Sequence, residues 1–386
     1  MADPAENIFA HMQPKMEGSL PLVCILSVTH RLMNIDNVLQ TWREDRKRKR
    51  VMHKPIRAVL IGFALCCYLF TIFINIISSN LGVELDWFQA SIGNTTARFQ
   101  FDFTPAGWVF TLWAVIFFWN LIWHFYALTT ICRRYKHEYV YVFPNALPTP
   151  FWVAWIINLG LNIGWQFLFD GRHMIPAAVF MALIVISLIV CLATTYFRTC
   201  RDGAWMKDNM PGDLYAVRLL CHNGLGIYIT FATVLFFLNL GICLIWWGAG
   251  ANQIDVTTGL FSGLAFLMLV WFVLENFTPL EPYCRYTLTI WPTLIVALTA
   301  IFIHRRAPVG GDIPADFWNS NDRNDIYNAV LLGVACLFCL LRFIIVLVLH
   351  RRKPIDYGSA EYPEDLEEFQ MVNTKRFERQ RFSRVA

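Results

Sequence analysis

The chain has 386 residues, 56% of them hydrophobic, 16% aromatic and only 16% charged, with a net charge of +4. A soluble domain carries about 25% charged residues, and several uninterrupted runs here reach the ~20 apolar residues that carry a helix across a bilayer. This excludes an ordinary soluble enzyme and defines the fold class as all-α, a polytopic transmembrane helix bundle; the basic excess calls for no nucleic acid partner, because it gathers where topology signals belong.

In residues 1–56, Leu32, Ile35, Leu39 and Trp42 recur at helical spacing ahead of the basic run REDRKRKR at 43–50. The pattern admits two readings, an interfacial amphipathic helix that binds anionic membrane lipids or a helix packed beneath the bundle. The first thirty residues lack the basic start and apolar core of a cleavable signal peptide, so the first span is expected to act as signal-anchor. Eight spans follow, at about 57–79, 107–131, 149–169, 174–197, 219–247, 257–276, 286–303 and 326–349. Pro292 falls inside the seventh and is expected to kink it; if that segment does not cross, the count becomes seven. The tail at 351–386, acidic in EYPEDLEEF and basic at its end, reads as a disordered cytosolic segment.

The positive-inside rule places both termini in the cytosol. Arg43, Lys47, Arg57, Arg133, Arg134, Arg201, Lys207 and Arg351 to Lys353 then share the inner face, and the outer face receives Arg98, Arg172, Arg305, Arg306 and Arg323. His304-Arg305-Arg306 runs against the bias. Asn94-Thr95-Thr96 is a glycosylation acceptor in the loop between spans one and two, on the lumenal side; Asn276-Phe277-Thr278 fits the same pattern but abuts the cytosolic end of span six and reads as a decoy.

None of the eleven cysteines falls in a predicted lumenal loop, and none has metal-ligand spacing. No catalytic motif is present, so no catalytic residue, metal or cofactor is expected. Glu275 is the one notable carboxylate of the spans, and Arg342, two turns inside span eight, either snorkels or pairs with it.

The uncharged polar groups say more. In span three Asn158, Asn162 and Gln166 recur every four residues, within about 80° of arc, with Trp155 and Trp165 on the same side. Span two groups Trp113, Asn120 and His124 on one face and Trp108, Trp119 and Trp123 on another. In span five His222, Thr230, Thr233 and Phe237 share a side. Acyl chains do not accommodate such faces, which turn to other helices or to a cavity. Amides that glue helices together and amides that line a ligand pocket give the same pattern, and both readings stand. His124 reads as a packing residue or as a proton carrier, and Trp246-Trp247 as an interfacial belt.

The segment Pro105-Ala106-Gly107-Trp108-Val109-Phe110, followed by Trp113, resembles the second helix of TspO/MBR proteins (translocator, or tryptophan-rich sensory, proteins). LNIGWQFLFDGRH at 161–173, MALIVISLIVCLATTYF at 181–197 and GIYITFATVLFFLN at 226–239 resemble the third, fourth and fifth helices in order. The resemblance covers about 57–247 and implies a five-helix unit around a pocket for flat hydrophobic ligands, followed at 248–350 by three more helices. Trp108, Trp113, Asn162, Trp165, Tyr228, Ala232, Thr233 and Asn239 occupy its motif positions; Asn120, His124, Trp155 and Asn158 come from the polar stripes. The sequence departs from the family where Ile227 precedes Tyr228 and where aliphatics follow Leu240, which removes the sterol-contact motif. The added helices and the glycosylation signal point to the plasma membrane or an endomembrane.

The expected function is binding or carriage of a planar hydrophobic molecule, such as a porphyrin, between indoles that stack and amides that fix its edge. The alternatives are a solute transporter with a polar path through spans two, three and five, and a scaffold or regulatory protein. Expected partners are membrane lipids, the small-molecule ligand and further copies of the chain in a homo-oligomer.

Overall fold

The structure, a computed structural model, describes residues 55–78, 83–135, 138–248, 251–306, 322–353 and 355. The amphipathic and basic stretch at 32–50 and the tail from 356 lie outside them. The described chain is a helical bundle, with α1 Pro55–Ile77, α2 Ile92–Arg98, α3 Gly107–Cys132, α4 Thr149–Asp170, α5 Met174–Arg201, α6 Gly203–Asn209, α7 Pro211–Trp247, α8 Gln253–Phe277, α9 Glu281–Cys284, α10 Ile290–Arg306 and α11 Arg323–Arg352. A two-residue antiparallel hairpin, Arg134–Tyr135 with Glu138–Tyr139, follows α3.

Among the described residues seven helices (α1, α3, α4, α5, α7, α8 and α11) are long and apolar enough to cross a membrane. The eighth expected span, α10, is shorter, with an apolar stretch at Ile290–His304. Pro292 does not kink it. The helix begins at Ile290, so the proline lies in the first turn, where its missing N–H interrupts no hydrogen bond. Prolines take the same place in α4, α7 and α9.

α7 is the central element. It packs against α3, α5, α8 and α10, while α4 packs on α5 and α1, and α11 on α8 and α10. From Asn223 to Ile242 nearly every α7 side chain is buried, as expected of a helix apolar all round. Its Val217–His222 turn is π-helical, a geometry that leaves carbonyls free, and Trp119 Nε1–H donates to Leu219 O and Leu220 O at 3.3 and 3.1 Å. At Gly226 a Cβ would lie 2.6 Å from Thr289 Oγ1; glycine there lets the segment before α10 cross α7 closely.

The Thr104–Gly107 lead-in to α3 is more than a turn at a mouth. Phe101, Phe103, Thr104, Pro105 and Ala106 are buried. Phe103 meets Phe237 of α7 and Phe261 of α8 at ring distances of 6.4 and 5.1 Å. Ala106 N–H donates to Ala300 O of α10 at 3.0 Å, and Asn324 of α11 donates to Asp102 at 2.9 Å. The segment is thus a hook that ties α3 to the four C-terminal spans. Phe63, Phe70, Phe118, Ile157 and Leu340 are exposed and supply the apolar exterior that a bilayer requires.

Candidate intramembrane site

The polar stripes of α3 and α4 meet inside the bundle. Asn162 is the hub. Its Oδ1 accepts from Asn75 Nδ2 of α1 at 3.0 Å and from Gln166 Nε2 at 3.1 Å, and its Nδ2 donates to Tyr228 Oη of α7 at 3.2 Å. One side chain therefore joins three helices. One turn away, Asn158 donates to Ser187 Oγ and Ile184 O of α5 at 2.8 and 3.2 Å. Trp165 Nε1–H donates to Asn239 Oδ1 of α7 at 3.3 Å. Asn120 accepts from Trp123 Nε1–H at 2.6 Å and donates to Ile116 O at 2.7 Å.

His124 is held in a single tautomer. Indole N–H is only a donor, so the 2.9 Å contact from Trp155 Nε1 makes Nε2 the acceptor. The proton then resides on Nδ1, which lies 2.7 Å from the Asn120 carbonyl. The ring is stacked between Tyr68 at 4.3 Å and Trp123 at 3.8 Å. With both nitrogens committed, this imidazole is a packing and fastening group.

The aromatic part centres on Trp113. Its indole approaches Phe117, Trp165, Tyr228 and Phe231 at ring distances of 5.5, 6.3, 5.7 and 5.4 Å, in the offset and edge-on arrangements that aromatic pairs favour. Three polar atoms in this core are buried without a partner: Trp113 Nε1, Asn158 Oδ1 and Gln166 Oε1. Buried polar groups are nearly always paired, so an unpaired donor beside unpaired acceptors marks a place where another molecule completes the hydrogen bonding.

Of the residues expected from sequence, Trp113, Asn120, His124, Trp155, Asn158, Asn162, Trp165, Tyr228, Ala232 and Asn239 are all buried. The hydrogen-bonded and ring contacts above unite all of them except Ala232, which lies on α7 between Tyr228 and Asn239. Thr233 is half-buried, and its hydroxyl donates to its own helix at Ile229 O. Trp108 is 45% exposed and lies apart from this cluster. Sequence reasoning did not place Tyr68 and Asn75 at the site, although an amide in the otherwise apolar first span was a visible signal. Trp123, assigned to the other face of span two, is buried in the same aromatic stack.

A second polar cluster joins the C-terminal helices. Arg342 Nε of α11 stands 3.4 Å from Glu275 Oε2 of α8, so the arginine pairs with the glutamate and does not snorkel. Trp291 of α10 donates to Glu275 Oε1 at 2.5 Å. Arg342 also donates to Asn276 Oδ1 at 2.9 Å, which engages the carboxamide of the second glycosylation pattern. Beyond the end of α3, Arg133 meets Asp213 at 2.5 Å, and the hydrogen bonds to that carboxylate push the guanidinium pKa up. Asn94 lies exposed on α2, near the Ser91 cap.

The long apolar helices and the enclosed amide-and-indole core define an integral, multi-pass membrane protein. The family model described as TSPO-like protein matches residues 61–308, well over half of the chain, and the protein belongs to that family. The match runs past Trp247 through α8 and α10. No curated protein and no solved structure matches the chain significantly.

Proposed function

We propose that this TSPO-like protein binds a flat, apolar small molecule inside the bundle, tetrapyrrole-like in shape, beside Trp113 and the Asn158–Asn162–Gln166 stripe. The observation that carries the reading is the unpaired Trp113 indole N–H, buried among aromatic rings with unpaired Asn158 and Gln166 oxygens on the neighbouring helix. A ring system with a polar edge stacks on the indoles and supplies an acceptor to the N–H and a donor to the amide oxygens. Family membership supports an intramembrane ligand over a catalytic role.

The test is porphyrin quenching of intrinsic tryptophan fluorescence in the purified full chain. Saturable quenching, lost in Trp113→Ala and in Asn162→Ala, supports binding; absence of saturable quenching in the wild type refutes it. Flux into liposomes separates carriage from binding. The proposed topology has both termini in the cytosol and Asn94 glycosylated in the lumen, in the plasma membrane or an endomembrane.

A further inference from the structure

The cluster at Glu275 and Arg342 plays no part in the ligand reading, and a count of its donors and acceptors leaves a remainder. Glu275 is 0% and Arg342 1% exposed. The four terminal N–H groups of Arg342 are used. Nη1 donates to Glu275 O at 2.8 Å and to Asn276 Oδ1 at 2.9 Å; Nη2 donates to Cys284 O at 3.0 Å and to Arg285 O at 3.2 Å. Glu275 Oε1 is used as well, accepting from Trp291 Nε1 at 2.5 Å. Three buried atoms remain without a hydrogen bond: Arg342 Nε, Glu275 Oε2 and Trp271 Nε1. The first two are 3.4 Å apart, close enough for an ion pair but not aligned as a donor and its acceptor. Trp271 stands one turn before Glu275 on α8, with its indole N–H turned to the same carboxylate.

Two donors and one acceptor face one spot, the complement of a single water molecule, which accepts twice and donates once. Buried waters typically make about three hydrogen bonds to groups that would otherwise stay unpaired. We propose that a single ordered water is bound here, accepting from Arg342 Nε–H and Trp271 Nε1–H and donating to Glu275 Oε2. The donor set excludes the alternatives of similar size. A metal cation finds only N–H groups on two of the three sides, and a halide finds a carboxylate on the third. The water turns an imperfect ion pair into a closed network at the junction of α8, α9, α10 and α11.

The experiment is a structure of the full chain in lipid nanodiscs at a resolution that shows ordered solvent. The expected result is one density at hydrogen-bonding distance, about 2.7–3.2 Å, from all three atoms. An empty spot, with Arg342 Nε closed directly onto Glu275 Oε2, overturns the proposal. A second measurement compares the drop in melting temperature caused by Trp271→Phe in the wild type and in the Arg342→Met/Glu275→Leu double variant. The lost ring volume is common to both backgrounds, and the water bridge exists only in the first. A larger drop in the wild type is expected, and equal drops overturn the proposal.

Discussion

The indole N–H of Trp155 donates to Nε2 of His124 at 2.9 Å, fastening α4 to α3 in the interior of the bundle. Trp155→Phe keeps most of the ring volume but leaves Nε2 buried and unpaired, which costs about 1–3 kcal/mol. Thermal unfolding of the detergent-solubilised protein should show the loss. If liposome flux occurs and proceeds unchanged in this variant, His124 is confirmed as a fastening group; a flux that collapses while stability is retained would assign it a transport role.

Asn162 joins α1, α4 and α7 through Asn75, Gln166 and Tyr228. Asn162→Leu keeps the volume and removes all three hydrogen bonds. Each orphaned partner adds a penalty on the order of 1 kcal/mol, so the variant should unfold at a clearly lower temperature than wild type. Asn158→Leu removes two bonds to one helix and should cost less. The reverse order would contradict the assignment of Asn162 as hub.

The ion pair of Glu275 and Arg342 makes a sharper prediction. Removing one partner of a buried pair leaves an uncompensated charge and costs about 3–5 kcal/mol, whereas apolar replacement of both is often neutral. Arg342→Met should therefore be strongly destabilised, and Arg342→Met/Glu275→Leu should recover much of the loss. Size-exclusion profiles and melting curves of the three proteins decide the matter, and a double variant worse than either single one would sink the idea.

Glycosylation tests the proposed topology. Asn94 is exposed, whereas the Asn276 carboxamide accepts a hydrogen bond from Arg342. Treatment of the expressed protein with an N-glycan-removing enzyme should increase its gel mobility, and Asn94→Gln should abolish that shift while Asn276→Gln preserves it. A shift that persists in Asn94→Gln would place another loop in the lumen.

Gly226 bears on the crossing of α7. A Cβ there meets Thr289 Oγ1 at 2.6 Å and Thr287 Cγ2 at 3.0 Å. Gly226→Val should displace the segment before α10 and lower stability by about 1–3 kcal/mol, the usual range for overpacking. Gly62, whose position on α1 has no neighbouring atom within 4 Å, should tolerate valine with little change.

Hydropathy alone determined that this protein is a bundle of membrane-length helices, because apolar length is a local property of the chain. The amide stripe of α4 was legible for the same reason: a repeat of four residues fixes one face of a helix whatever surrounds it. Tertiary structure decided the rest. It joined Asn75 and Tyr68 of the first span to that stripe and chose Glu275 as the partner of Arg342. It also put Pro292 in the opening turn of α10 and buried the Phe101–Ala106 hook against helices more than a hundred residues away in sequence. Those outcomes depend on which face of one helix meets which face of another, and an evenly apolar helix such as α7 carries no marking of its own to say so.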